Sequence, residues 1–221
     1  MRADYHIDML SSSAKPCSRL ETEHVRRFIA DAKRCLNEAR YYPQVNGYRY
    51  MVALALYSKC TIVAEAVLVL IVNDFGEEAF GMTRTLVDIF FTLRYITNND
   101  TDVRAKRYAD FCAKDSVVWN EVTKAYWPHH TQTIPNNILA IASNYPSPHS
   151  WSGKTAKEMA LEPDTIEIDA KTGEPFTHDF AYQVIYRWTS HYVHPTIGAL
   201  ESHLVQAGRD VFAVRSGRGR I

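Results

Sequence analysis

The longest apolar stretch, Met51 to Val72, constrains the fold most. It has no proline or glycine, and its middle, Val63 to Ile71, is apolar on nearly every side. A helix of that kind belongs in the middle of a bundle, with other helices around it. Tyr57, Ser58, Lys59 and Glu65 interrupt it. Two charges and several polar groups argue against a membrane span, so no membrane partner is expected.

The rest of the chain reads as helices in the same manner. Apolar residues at Leu20, Val25, Phe28, Ile29, Ala32, Leu36 and Ala39 recur at steps of three and four, so a first amphipathic helix is expected. Ser18 and Glu21 have the spacing of a capping box at its start, and Pro43 and Gly47 end it. The apolar helix follows, from Tyr48 to Val72. Helices are expected over 77–96 and 103–126, with a turn at Asn98-Asn99-Asp100 between them. From Trp127 to Thr177 six prolines punctuate the chain. Short helices are expected there at 137–143 and 155–161, and Tyr145, Trp151 and Ile166 suggest that part of this connection packs. A last helix is expected over 178–207, broken near His194-Pro195. The fold class is therefore all-α: a bundle of five or six helices with a long proline-rich loop before the last one. Residues 1–17 read as a mobile lead-in, 18–207 as one domain, and 208–221 as a basic tail.

Composition narrows the function classes. The 25 basic residues balance 25 acidic ones, so no global field steers the chain toward nucleic acid or anionic lipid. Cys17, Cys35, Cys60 and Cys112 show neither metal-ligand nor redox-pair spacing. Cys35 and Cys60 read as buried thiols in a reducing compartment. The N-terminus lacks the apolar run of a signal peptide. A cytoplasmic protein is expected.

One segment looks more like a site than a core. In YRWTSHYVHP, from Tyr186 to Pro195, Arg187, Ser190, His191 and His194 recur at helical steps and share a polar face. Val184, Trp188, Tyr192 and Val193 are then expected to face the core. Pro195 can open a resumed helix and leave His194 near its N-terminus, where free N–H groups bind anions. An arginine and two histidines so placed could hold a phosphate and move protons near neutral pH.

Arg84 and Asp88 stand four apart in an otherwise apolar helix. An ion pair that ties this helix to the last one is the preferred reading. In the alternative, Arg84 faces the Arg187/His194 cluster and binds an anion with Asp88 beside it. Trp151-Ser152-Gly153-Lys154-Thr155 is not a nucleotide-binding loop, because Pro148 occupies the position of the required glycine and no strand precedes it. Ser152 or Thr155 is expected to cap a short helix, and Lys154 is a candidate anion contact. His191, His194 and His203 do not form a recognisable metal motif, so neither metal nor other cofactor is expected.

Two resemblances add to this reading. Arg187 and His194 form an R-x6-H pair on the last helix of an α-bundle, which resembles the R-x4-6-H motif of the HEPN superfamily. Arg19-x4-His24 has the same form. The resemblance implies an all-α fold, a cleft at a homodimer interface, and metal-independent cleavage of RNA. It implies that Arg187 neutralises the phosphate and His194 transfers protons, with His191 or Arg84 assisting. Trp188 stands where many of those ribonucleases carry a polar residue. More widely, R-T-L-V-D at Arg84 to Asp88, W-S-G-K at Trp151 to Lys154 and S-H-Y-V-H-P at Ser190 to Pro195 resemble an uncharacterised bacterial family of helical proteins, over Val52 to Val205. That family implies a helical fold and carries no established activity. The rival function is a non-catalytic helical module that binds an anionic small ligand in the same cleft or a partner protein on its faces. A metal-dependent enzyme is the third reading.

Overall fold

The computed structural model describes residues 19–40, 47–147, 150–163, 173, 177–193, 204–208 and 211–214. Four long helices form the body: α1 (Arg19–Glu38), α2 (Tyr48–Val72), α3 (Gly76–Asn98) and α4 (Thr101–Tyr126). Two short helices follow, α5 (Asn136–Ala142) and α6 (Ala156–Leu161). A π-helical segment, Ala181–Tyr186, then runs directly into α7 (Arg187–Val193). The all-α expectation holds for this bundle. Ser18, expected at the first cap, and Ile166 lie outside the described residues.

α3 is the central helix, not α2. It touches α2, α4, α6, the π-helical segment and α7, whereas α2 packs against α1, α3 and α4. One side of α2 is left in water, with Ile62, Val69 and Val72 exposed. By length and composition α2 could cross a bilayer, with a mean hydropathy of 1.9, and only 17% of that stretch is buried. An apolar run with no polar side does not tell which side its neighbours will take. α3 is less apolar overall, but its residues Arg84, Asp88, Phe91, Tyr95 and Asn98 recur at steps of four and three and make one continuous face. That face carries the aromatic core. Phe91 is almost fully buried and meets both Tyr182 and Tyr186, and Tyr95 meets Trp151 edge to face. Val52, Leu56, Ile89, Ile96 and Ala105 form a second cluster where α2, α3 and α4 converge.

The connection before the last helix is packed, as Tyr145 and Trp151 suggested. The Tyr145 hydroxyl donates to the Arg107 carbonyl, and Trp151 sits edge-on between Tyr95 and Tyr108. Thr155 caps α6 in a full capping box: its hydroxyl accepts from the Glu158 N–H, and the Glu158 carboxylate accepts from the Thr155 N–H. Gly153 takes the left-handed conformation, φ 73°, that turns the chain into this cap.

One expectation fails toward the C-terminus. Leu204–Gly208 is a strand, β1, and pairs antiparallel with β2, Val211–Val214, so the last helix does not extend to 207. The pairing runs from Leu204 opposite Val214 to Gly208 opposite Val211. The cause is local. Leu204-Val205 on one side and Val211-Phe212-Ala213-Val214 on the other flank Gly208-Arg209-Asp210, a sequence pattern of hairpin rather than helix chemistry. Cys35, expected to be buried, is exposed on α1, which among the described residues packs on α2 with its other side in water. Cys60 is partly covered, and burial pushes its thiol up.

Candidate functional site

α3 and the last helical segment meet around Arg84. Its side chain is only 18% exposed. The Nε donates to Asp88 Oδ2 at 3.2 Å, one turn along the same helix. One terminal nitrogen donates to Ser190 Oγ and the other to the Tyr186 hydroxyl. The guanidinium also stacks on Tyr186, 3.6 Å from the ring centroid. Ser190 completes the ring of contacts by donating to the Tyr186 carbonyl at 2.6 Å. Each of the three nitrogens of Arg84 thus donates a hydrogen bond inside the protein. The ion-pair reading of Arg84 and Asp88 is the one this geometry supports, and the pair ties α3 to the last helix.

Asp88 keeps 47% of its side chain in water. Its carboxyl end is nevertheless tucked against Arg84 and Tyr186. Burial pushes the carboxyl above its usual range, against the pull of Arg84 and the hydrogen bonds from Arg84 and Tyr186. Burial likewise raises the Tyr186 hydroxyl, with the Asp88 charge adding to it.

Arg187 does not join this cluster. It is exposed, and its guanidinium donates to the Gln183 side chain at 3.1 Å, one turn back. Among the described residues it has no carboxylate partner. His191 follows Arg187 by one turn on α7, and its side chain lies outside the described residues, as does all of His194. Arg84, Asp88 and Ser190 are therefore brought together, Arg187 is turned to water, and the pairing of Arg187 with His194 falls outside what the structure describes.

The orientation expected for the neighbours is corrected. Val184, Trp188 and Val193 were expected to face the core and are instead about half exposed. Tyr192 is partly covered and stacks on Phe80, whose ring Trp188 meets edge to face. Val184 lies in the π-helical segment and Trp188 and Val193 in α7, all beside the inward stripe rather than on it. The inward side is set by Tyr182, Tyr186, Thr189 and Ser190, with Thr189 fully buried.

Lys154 belongs to a separate node. Its ammonium lies 3.0 Å from Glu162 Oε2, and Arg104 holds the other carboxylate oxygen at 2.6 Å. Arg104 also stacks on Tyr95, 3.9 Å from the ring centroid, and donates to the Tyr95 carbonyl. Arg94 donates to the Glu162 carbonyl at 2.9 Å. Burial raises Glu162, but the hydrogen bonds from Arg104 and Lys154 outweigh it and hold the carboxyl below its usual range. Glu162, held by Lys154 from within the 150–163 segment, closes that segment onto α3 and α4 through Arg94 and Arg104. Of this node the sequence had singled out Lys154, as an anion contact; Arg94, set among apolar residues of α3, was a further signal, and Glu162 gave none. Among the described residues no three of His, Cys, Asp or Glu are grouped to hold a metal ion.

Residues 50–211 match a family of unknown function, DUF5677. The chain belongs to that family. The R-T-L-V-D, W-S-G-K and S-H-Y-V-H-P segments all fall inside the matched residues. The first two supply the two clusters just described: Arg84 and Asp88 hold the last helix, and Trp151 to Lys154 hold the connection before it. No curated protein and no solved structure matches the chain.

Proposed function

We propose that this chain is a HEPN-like protein that binds RNA through the exposed face of α7 and cleaves it without a metal ion. The observation that carries the proposal is the contrast between its two arginines on the α3–α7 side. Arg84 spends a hydrogen bond from each of its nitrogens on Asp88, Tyr186 and Ser190, whereas Arg187 is exposed and, among the described residues, donates to the Gln183 side chain alone. An exposed guanidinium on a helix that is anchored from behind is suited to hold a phosphate in a fixed position.

In this reading Arg187 neutralises the phosphate in the transition state. His194 takes the proton from the ribose 2′-hydroxyl or delivers one to the leaving oxygen, and His191 assists. Arg84 contributes by holding α7 in place, not by touching RNA. A cytoplasmic location and a homodimer with a shared cleft belong to the same proposal.

A second reading is favoured by one specific observation. With Arg84 consumed internally, Arg187 is the one described cation on this face of the last helix. A single cation suits a non-catalytic module that binds an anionic ligand and leaves it unchanged. The experiment that separates the two is cleavage of varied RNAs without added metal, comparing wild type with Arg187→Ala and His194→Ala, each checked by circular dichroism. Cleavage by the wild type that both folded variants lose supports the ribonuclease. Anion binding that Arg187→Ala weakens, with no cleavage by the wild type, leaves the binding module standing.

A further inference from the structure

The last helical segment carries a second set of polar contacts, on its exposed side. Asp179 opens the helix, Gln183 lies in the π-helical segment and Arg187 begins α7. Gln183 Nε2 donates to Asp179 Oδ1 at 3.0 Å, and Arg187 Nη1 donates to Gln183 Oε1 at 3.1 Å. One amide thus joins a carboxylate to a guanidinium in single file along the helix.

The chemistry of the two ends fixes the amide. An ionised carboxylate only accepts hydrogen bonds, and a guanidinium only donates them. The Gln183 nitrogen must therefore face Asp179, and its oxygen must face Arg187. Turned over, the amide would lose both bonds at once. Asp179 thereby decides, from two turns away, that an acceptor and not a donor meets Arg187.

The middle group is also neutral. A carboxylate in its place would hold the guanidinium equally well, but would offset its charge. The amide holds Nη1 and leaves the positive charge intact. Among the described residues Nε and Nη2 make no hydrogen bond, so they are open to an anion. The helix beneath is anchored from behind, where Arg84 binds Tyr186 and Ser190 and where Thr189 is buried. What remains loose is the arginine side chain, whose rotamer freedom is costly to lose on binding. A tether in the free protein removes part of that cost.

We propose that Gln183, oriented by Asp179, is a positioning residue that pre-sets the Arg187 guanidinium for a phosphate without neutralising it. The inference rests on the reading above that Arg187 contacts RNA phosphate. It adds two residues to that site, and each acts through Arg187.

Two readouts on the full-length chain test it. The first needs no RNA. In nitrogen NMR a guanidinium that turns freely about Nε–Cζ gives one averaged Nη signal, whereas a held one gives two. The second is fluorescence anisotropy with a labelled single-stranded oligouridylate whose 2′-hydroxyls are methylated, so that it binds without being cleaved. Wild type should show two Arg187 signals, and Gln183→Leu should merge them. Asp179→Asn should merge them too, because its amide can present a donor to Gln183. Asp179→Glu, which keeps an acceptor, should hold them apart. Gln183→Leu should raise Kd about fivefold, and should have no effect in an Arg187→Ala background. Gln183→Glu should keep two signals and still weaken binding, since it holds the guanidinium but offsets its charge. A residue that only stabilised the helix would not split the two readouts in this way. One merged signal in the wild type, two signals that survive Gln183→Leu, or a Gln183→Leu effect that persists in the Arg187→Ala background overturns the inference. If Arg187→Ala weakens binding and Gln183→Leu does not, the inference fails and the RNA reading stands. If Arg187→Ala weakens nothing, the RNA reading fails, and the phosphate role of Gln183 fails with it.

Discussion

The guanidinium of Arg84 lies 3.6 Å from the centre of the Tyr186 ring and binds the hydroxyl of the same residue. One side chain of α3 thereby holds the last helix at the point where its π-helical segment becomes α7. Removing the charge leaves Asp88 without its ion partner and Ser190 without its donor. Arg84→Ala should cost about 2 kcal/mol, below the full cost of breaking a buried pair because Asp88 is half in water. Tyr186→Phe, which keeps the ring, should cost about 1 kcal/mol. Urea denaturation of the two variants against wild type checks the order.

Asp88 should titrate above the usual carboxylate range, since burial outweighs the pull of Arg84. A raised folded-state value means that the folded form binds its proton more tightly than the unfolded chain. Its contribution to stability is therefore full below the unfolded value, about 4, and is lost as pH rises through the folded value. The stability difference between wild type and Asp88→Asn should shift against the wild type over that interval. A difference that does not change with pH would show that the carboxyl is unperturbed. Carboxyl NMR titration gives the value directly.

Glu162 should behave in the opposite sense. Arg104 and Lys154 hold it below its usual range, so its contribution is present above the unfolded value, about 4.3, and is lost as pH falls through the folded value. Glu162→Gln should cost about 2 kcal/mol at neutral pH and little in acid, where the wild type has also lost the charge. Thermal melts across pH 2.5 to 7 should show the two curves converge at the acid end.

Phe91 is almost fully buried beneath Tyr182 and Tyr186. Phe91→Ala should cost about 3–5 kcal/mol and detach the last helical segment along with the core. Near-ultraviolet circular dichroism should lose tyrosine signal in this variant even at temperatures where helix content remains.

Arg187→Ala should change stability by no more than about 0.5 kcal/mol, because the side chain is exposed and touches only Gln183. A folded, equally stable variant that no longer acts on RNA would assign Arg187 to function. A strongly destabilised one would mean that it carries structure.

Much of the helical layout was legible because hydrophobic spacing reports which residues share a side, and turn residues report where a helix stops. Tyr48 to Val72, the stop at Asn98-Asn99-Asp100 and the Thr155 cap were all readable in this way. The family was legible from three short segments for a related reason. Two of them hold the last helix and its approach in place, so their residue types are set by contacts they must make. The i, i+4 pair of Arg84 and Asp88 was likewise readable, because an isolated arginine and carboxylate one turn apart in an apolar helix have few ways to be satisfied.

Directions between elements were decided only in three dimensions. That α3 and not α2 lies at the centre depends on long-range packing, and an apolar helix has no pattern that names its neighbours. That Arg187 faces water while Ser190 faces Arg84 depends on which side of α7 packs against α3, and spacing within α7 does not name that side. Glu162 joins Arg104 and Lys154 from 58 and 8 residues away, and only the folded chain brings those charges to one carboxylate. Local spacing is a property of a single helix, whereas pairing, burial and exposure are properties of the contacts between helices.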